Sequence, residues 1–516
     1  MKLVGRTPES SALDAARRAR ELGRLGDDPR VDVVVIGGGI TGVGVALDAA
    51  SRGLRTVLAE RHDLAHGTSR WSSKLVHGGL RYLASGQIGI AHESAAERHL
   101  LMTRLAPHLT RSLAQVLPLY APGHVSQGAL IGAGYGLADG LRRFVGTPDA
   151  VLRSPGAIGV AETRRLVPGV RTDHLRGAMR GWDGQLIDDA RLVVAVARTA
   201  AGYGASVLTR VEAVEASGDR VRLRDTLSGR ELELHARAVV NATGVWAGEL
   251  DPAVRLRPSR GTHLVVETTR LGGSDASLTV PVPGSRSRFI FTLPAVHGRT
   301  YIGLTDVPAE GPIPDVPHAT DAEIDLLLDT VGTVLAEPLT RADVVGTYAG
   351  LRPLLTSARG DDEDTSDLSR RHAILESADG LLTIVGGKLT TYRRMAEDAV
   401  DEAIRRRLLP ARPSVTRTLP LVGAWPRARL DDIGAPARYV RRYGAEAPFA
   451  AALPDGPSAA RGVTAQELEW GVAVEGALTI DDLLERRTRL GLVESDREES
   501  TDAAAAAFAR RGVDPA

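Results

Sequence analysis

Residues 31–42 read VDVVVIGGGITG, and a second apolar run, TVLAE, ends at Glu60. The β-branched run predicts a buried strand over 31–36, a helix over 41–52 and a further strand over 55–59. Gly37, Gly39 and Gly42 fall at the turn between strand and helix, in G-x-G-x-x-G spacing. The first glycine permits the tight turn, the second lets the backbone approach a pyrophosphate, and the third lets helix and strand pack closely. The helix start offers N–H groups and a positive dipole end to phosphate. Glu60 stands where a ribose would donate its hydroxyls. Strand, turn, helix and acid together predict dinucleotide binding; the competing reading is an ordinary glycine-rich βα turn.

Working outward, residues 188–202 (DDARLVVAVARTAAG) predict a helix, with a strand starting at 205–207. Residues 221–224 and 231–234 read as a hairpin around Ser228-Gly229, and 238–240 as a separate buried strand entering Asn241-Ala242-Thr243-Gly244. Between about 255 and 305, short β-rich runs separated by Gly and Pro predict an antiparallel sheet. A strand over 382–385 meets Gly386-Gly387, and a helix follows over 389–407. Nucleotide-type elements thus recur along most of the chain with β-rich material between them, which predicts two interleaved domains. Pro410, Pro413, Pro420 and Pro426 mark a linker, and the remainder has helical periodicity, as at 465–476 and 480–489. The expected organisation is a basic extension at 1–28; a nucleotide-binding domain from 29–104, 168–250 and 346–408; a substrate (cap) domain from 105–167 and 251–345; and a linker with a helical domain over 409–516.

The chain has 516 residues, too many for one core, and 43% of them are hydrophobic. Lys+Arg and Asp+Glu balance at 64 each and aromatics are only 4%, which disfavours nucleic acid. The lack of cysteine removes disulfides, thiolate metal sites and a redox-active thiol pair. That excludes a disulfide reductase and a cysteinyl flavin, and it fits a cytoplasmic location. No metal site is expected; the acidic run DDEDTSD at 361–367 reads as a solvated loop. No apolar run is long enough to span a membrane, and residues 1–28 lack the apolar core of a secretion signal. Residues 10–26 read as a basic helix capped by Ser10 or Ser11, with a frayed tail and a membrane-surface or partner contact as the other readings. Residues 98–111 (RHLLMTRLAPHLTR) are basic and amphipathic without an acid; packing is favoured over a lipid surface.

Several segments in order resemble one family, the quinone-linked, FAD-dependent glycerol-3-phosphate dehydrogenases of the glutathione-reductase-like superfamily. They are IGGGITG (36–42), SSKLVHGGLRYL (72–83), DDARLV (188–193), NATGVW (241–246), RGTHLVV (260–266), GLTDV (303–307), GLRPL (350–354), GGKLTTYR (386–393) and RRTRLGL (486–492). The departures are Val245 where proline is expected, Ala84 where glutamate is usual, and FTLPA (291–295) without a following tryptophan. The fold implied is α/β: a Rossmann-like FAD-binding domain interleaved with an antiparallel-sheet cap, plus the helical C-terminal domain. The activity implied is oxidation of sn-glycerol 3-phosphate to dihydroxyacetone phosphate by hydride transfer to flavin N5. Membrane quinone is the implied acceptor, with a peripheral position on the inner face of the cytoplasmic membrane and a homodimer.

By this resemblance, Thr68, Ser69, Ser72 and Ser73 run along the FAD pyrophosphate and ribityl chain, and Val211 clamps the adenine. Ala242 and Gly244 let the chain pass close to the cofactor. Gly387, Lys388, Leu389 and Thr390 bring a helix start and a cation to the flavin, where reduction places negative charge. A phosphate dianion calls for planar cations; Arg81 and Arg352 are the candidates, with Tyr82 and Thr305 beside them. Removing hydride requires that the hydroxyl proton be taken; His263 is the first candidate base and His77 the second, and water remains open. A histidyl flavin link at His66 also remains open. The alternatives are an oxygen-using glycerol-phosphate oxidase, an amine or amino-acid oxidase of the same superfamily, and a flavin-binding protein without turnover.

Overall fold

The parallel sheet begins where the sequence predicts it. Strand Arg30–Ile36 is buried but for its first residues and pairs in parallel with Thr56–Glu60 on one side and Glu231–Asn241 on the other. Ser206–Thr209 extends the sheet beyond Thr56–Glu60, and Leu382–Gly386 extends it beyond Glu231–Asn241. The helices Ile40–Ser51, Asp189–Gly202 and Tyr392–Arg407 cover it and share one apolar core with its strands. The structure, a computed structural model, describes residues 8–79, 86–121, 125–285, 288–355 and 372–516. The acidic run at 361–367 lies outside the described residues.

The hairpin is found, with Arg220–Asp225 antiparallel to the start of Glu231–Asn241. It is not separate from the buried strand. Residues 231–241 form one continuous strand whose first half pairs with the hairpin and whose second half pairs with Arg30–Ile36. Its exposed residues alternate only in the first half, which hides this continuity from a reading of periodicity.

The second sheet is largely antiparallel. It runs Val307–Pro308, Ser259–Glu267, Arg299–Gly303, Phe289–Pro294, Ser277–Pro281, Thr110–Tyr120, Leu175–Leu186 and Leu75–Val76, with Val344–Arg352 also paired to Ser259–Glu267. Helix Asp321–Gly332, started by a Thr320/Glu323 capping box, packs on its far face. The chain passes repeatedly between the two sheets, so neither is built from one contiguous stretch.

Residues 98–111 are packed, not laid out as one surface helix. Helix Ile88–Leu100 gives way to a wider turn over Leu101–Leu105, and strand Thr110–Tyr120 follows. Arg98 is buried against Asp183 at 2.6 Å, and Leu101, Met102 and Leu105 are buried. The proline-rich stretch after 410 is packed too: Leu419 and Leu421 join the main core. The C-terminal region is helical, ending in Glu494–Arg510 around Phe508.

The basic N-terminal segment is part of the fold. The helix is Ala15–Asp27, and its cap is Asp14, which accepts from the Arg17 N–H at 2.6 Å, rather than Ser10 or Ser11. Arg17 donates to the Ala201 carbonyl at 2.9 Å and Arg18 to the Thr209 carbonyl at 2.8 Å. Leu25 is 3% exposed within the core beneath the parallel sheet. Leu25→Ala should therefore lower unfolding free energy by about 2–5 kcal/mol, read by denaturant titration. A frayed tail would show less than about 0.5 kcal/mol.

Candidate active site

At the C-terminal end of strand Arg30–Ile36 three glycines are dictated by space. Gly37 has φ +109°, and a Cβ there would lie 2.6 Å from the Ala242 carbonyl oxygen. A Cβ on Gly42 would lie 1.9 Å from the Gly37 oxygen. Gly38 sits against the Glu60 side chain, whose Oε2 accepts from the Gly38 N–H at 2.6 Å and whose Oε1 accepts from the His62 N–H at 2.7 Å. Burial raises the Glu60 pKa, and these two backbone donors oppose it. Ser69 Oγ accepts from the Ile40 N–H at 2.9 Å, directly at the start of helix Ile40–Ser51. Gly39 offers no side-chain cap of its own. The cradle of backbone amides and missing Cβ atoms fits a pyrophosphate.

The turn Thr68–Arg70 bridges the two sheets. Thr68 Oγ1 donates to the Leu351 carbonyl at 2.6 Å. Ser72 donates through both its N–H and its Oγ to Asp189 Oδ2, at 2.9 and 2.7 Å. Lys74 is buried beneath, donating to the carbonyls of Arg70 and Ser72 at 3.0 Å, 3.1 Å from Asp189 and over the Tyr348 ring. Burial lowers its pKa to about 8 despite Asp189. Lys74, Asp189 and Tyr348 are not among the sequence candidates, although Lys74 lies inside SSKLVHGG and Asp189 inside DDARLV.

On the second sheet, alternation puts Ser259, Gly261 and His263 on one face, opposite Arg352, Gly350 and Tyr348 of the neighbouring strand. Glycines clear that face. A Cβ on Gly303 would lie 2.2 Å from the His263 ring, one on Gly350 2.5 Å from Trp71 Cβ, and one on Gly261 2.5 Å from Arg352 Nη2. His263 is fully buried, stacks on Tyr348 with centroids 4.6 Å apart, and hydrogen bonds Ser73 Oγ through Nε2 at 2.8 Å. Its Nδ1 is buried with no protein partner. Burial, then Lys74 and Arg352, hold its pKa well below the usual histidine value, so the ring is neutral. Arg352 donates to Asp306 at 2.9 Å, to Ser259 Oγ at 3.2 Å and to the Thr305 carbonyl at 3.3 Å. The Thr305 hydroxyl accepts from the Thr262 N–H and donates to Glu323 Oε1 at 2.8 Å.

The remaining candidates fall around this face. Gly386 and Gly387 have φ of +79° and +76°, and Gly387 packs against Met395. Lys388 precedes the turn Leu389–Thr391, which lies against strand Leu75–Val76, and its Nζ donates to Ser94 Oγ at 2.9 Å. Thr390 is buried and Leu389 half-buried. Ala242 donates its N–H to the Ile36 carbonyl at 2.8 Å, and Gly244 has φ +64°. Val211 opens the strand after Arg210, whose N–H donates to the His62 carbonyl at 2.8 Å. His77 is half-buried just past Leu75–Val76. Arg81 and Tyr82 lie outside the described residues. The structure thus brings Ser73, His263 and Arg352 together, with Lys388 across the strand that follows Ser73.

The family model described as FAD dependent oxidoreductase matches residues 32–393. Over 502 residues the chain is 53% identical to glycerol-3-phosphate dehydrogenase 1 of Mycobacterium tuberculosis, covering 95% of this chain and 97% of that one. The solved glycerol-3-phosphate dehydrogenase of Bacillus halodurans, complexed with FAD, superposes with a TM-score of 0.74 at 27% identity, covering 97% and 94% of the two chains. L-alpha-glycerophosphate oxidase of Mycoplasma pneumoniae shares the fold, with a TM-score of 0.55 at 15% identity over 77% of this chain and 99% of that one. The cofactor implied is FAD.

Because Gly42 faces backbone, its substitution cannot be absorbed by a rotamer change. Gly42→Ala should yield protein without flavin absorbance. Gly89→Ala, with nothing within 4 Å of the new Cβ, should keep FAD. Full FAD content in the Gly42 variant would contradict the assignment of the cradle.

Proposed function

Because the chain belongs to the glycerol-3-phosphate dehydrogenases of the FAD-dependent oxidoreductase family, we propose that it oxidises sn-glycerol 3-phosphate to dihydroxyacetone phosphate. FAD, when bound, would supply the two-electron oxidant for the C2 carbinol, with a membrane quinone as the final acceptor. The observation that carries this reading is the glycine-cleared face on which neutral His263 and cationic Arg352 stand together beside the turn at 68–73.

His263 takes the C2 hydroxyl proton. A buried imidazole kept neutral is already in the basic form, and Ser73 and Tyr348 fix its ring. Nδ1, with no protein partner, is the nitrogen for this role when Nε2 carries its proton to Ser73. Arg352, held by Asp306 and the Thr305 carbonyl, binds the substrate phosphate together with Arg81 and Tyr82. Lys388 and the turn at 389–391 bring positive charge to the flavin. Ser69, Thr68 and the Ile40 amide serve the pyrophosphate, Glu60 the ribose, and the backbone at Val211 the adenine. His77 is the second candidate base.

The proposed units are those expected from sequence: an FAD-binding domain around the parallel sheet, a cap around the second sheet and the helical region after 409. No helix of the described residues is long and apolar enough to cross a membrane. Exposed Ile88, Leu137 and Phe144 lie on the neighbouring helices Ile88–Leu100 and Val125–Phe144, with exposed Arg143 beside them. Exposed apolar side chains on two packed helices support peripheral contact with the inner membrane face. The family resemblance extends the proposal to a homodimer.

The test is anaerobic flavin bleaching. sn-Glycerol 3-phosphate should bleach the visible band, a quinone analogue should restore it quickly, and air only slowly. Fast recovery in air would indicate an oxidase, and bleaching by amino acids alone would overturn the substrate. His263→Gln should slow bleaching by roughly 10²–10⁴-fold, and Arg352→Ala should weaken substrate affinity by about 10- to 100-fold. Because the His263 pKa is lowered, its basic form persists as pH falls. The bleaching rate should therefore lose this group only well below pH 6.5.

A further inference from the structure

Lys74 is buried, and its backbone has φ +56°, in the left-handed region that favours glycine. Its side chain folds back under the segment that precedes it. The ammonium donates to the Arg70 and Ser72 carbonyls, both at 3.0 Å, and lies 3.1 Å from Asp189 Oδ2. These are three acceptors for three N–H donors. The Lys74 N–H donates to Ser72 Oγ at 3.0 Å, and Ser72 bonds Asp189 through its own N–H and Oγ. Ser73, between them, has its hydroxyl on His263 Nε2 at 2.8 Å. A lysine with every donor committed acts as an anchor and a fixed charge.

The same ammonium reaches His263 by a second route. It lies 4.5 Å from the centre of the Tyr348 ring, on which His263 stacks, and 5.4 Å from that of Tyr301, which meets Tyr348 edge-on. Tyr348 Oη donates to the Ser72 carbonyl at 3.2 Å, one of the two carbonyls that Lys74 holds. Both neighbours that fix the imidazole, the Ser73 hydroxyl and the Tyr348 ring, are thus fastened to Lys74. The other charges around them are paired. Arg489 lies 3.1 Å from Asp188, Arg352 2.9 Å from Asp306 and Arg260 2.9 Å from Glu323, while Arg70 meets Glu485. Lys74 and then Arg352 are the charges that disfavour an imidazolium at His263.

We propose that Lys74 is the positioning residue of the base: it holds Ser73 and Tyr348 against His263 and keeps a positive charge beside the ring. The proposal rests on the reading of His263 as the base.

The experiment compares FAD-loaded full-length protein with Lys74→Met and with Lys74→Met/Asp189→Asn, which leaves no buried carboxylate unpaired. Protein labelled at histidine is titrated by ¹H–¹⁵N NMR without substrate, and His263→Gln assigns the signal. The His263 midpoint should rise by at least about 0.5 in both variants, because a like charge has gone. The rate of bleaching by sn-glycerol 3-phosphate should then fall off at correspondingly higher pH. Its limiting value should drop at least about tenfold, while the half-saturating concentration, set by Arg352, stays within about twofold. A merely structural lysine would lower the rate alike at every pH. An unmoved His263 midpoint in both variants would overturn the proposal, and so would loss of FAD from both, which would assign Lys74 to the fold. If the unaltered protein is not bleached, the substrate reading fails, whereas the NMR titration still decides the part played by Lys74.

Discussion

One buried carboxylate ties the loop after the Glu60 strand to the C-terminal helical region. Asp63 Oδ2 accepts from Arg486 Nε at 2.7 Å and from Arg487 Nη1 at 2.8 Å, and Oδ1 accepts from Arg487 Nη2 at 2.8 Å. Burial alone would raise the Asp63 pKa, but Arg487 and Arg486 override it and hold the group far below the ordinary carboxylate range. Its contribution to stability is therefore complete above that range and lost only in strong acid. Arg487 also donates to the Glu475 carbonyl at 3.1 and 2.9 Å, and Arg489 donates to the Arg70 carbonyl at 2.8 Å. Such an arrangement adds little net stability compared with an apolar core, yet removing one partner strands the other's charge, at about 3–5 kcal/mol.

That clamp matters because residues 61–74 serve several duties over a short length. Their first part backs Glu60, their middle caps the helix at Ile40 through Ser69, and their end holds His263 through Ser73. The same turn reaches the second sheet through Thr68. A shift at Asp63 would move the glycine turn and the His263 contact together. Gly303, Gly350 and Gly261 complete the arrangement from the other side, since side chains there would push His263, Trp71 and Arg352 off the sheet.

Much of this was legible in the chain. The parallel sheet followed from the apolar run at 31–36 and the glycine spacing, because local sterics alone require those residues there. The antiparallel sheet followed from short β-rich runs with turn residues between them. Other features depend on partners distant in sequence. Asp63 carries no local sign that Arg486 and Arg487 will enclose it. Nor does the basic segment at 15–27 show that Arg17 and Arg18 find backbone carbonyls near 201 and 209. Lys74 was visible inside a recognised motif, but its burial between Asp189 and Tyr348 follows only from three dimensions. The strand over 231–241 was divided by its change from half-exposed to buried pattern, a change that reflects new neighbours rather than a break.

The central claim is that the C-terminal arginines hold the flavin loop in place. The most direct test is the FAD dissociation constant of Asp63→Asn against the unaltered protein, at a temperature where their far-ultraviolet circular dichroism agrees. Affinity weaker by at least about tenfold, equal to about 1.4 kcal/mol, is the predicted result. Unchanged FAD affinity would contradict the account, because the cradle would then stand without its clamp.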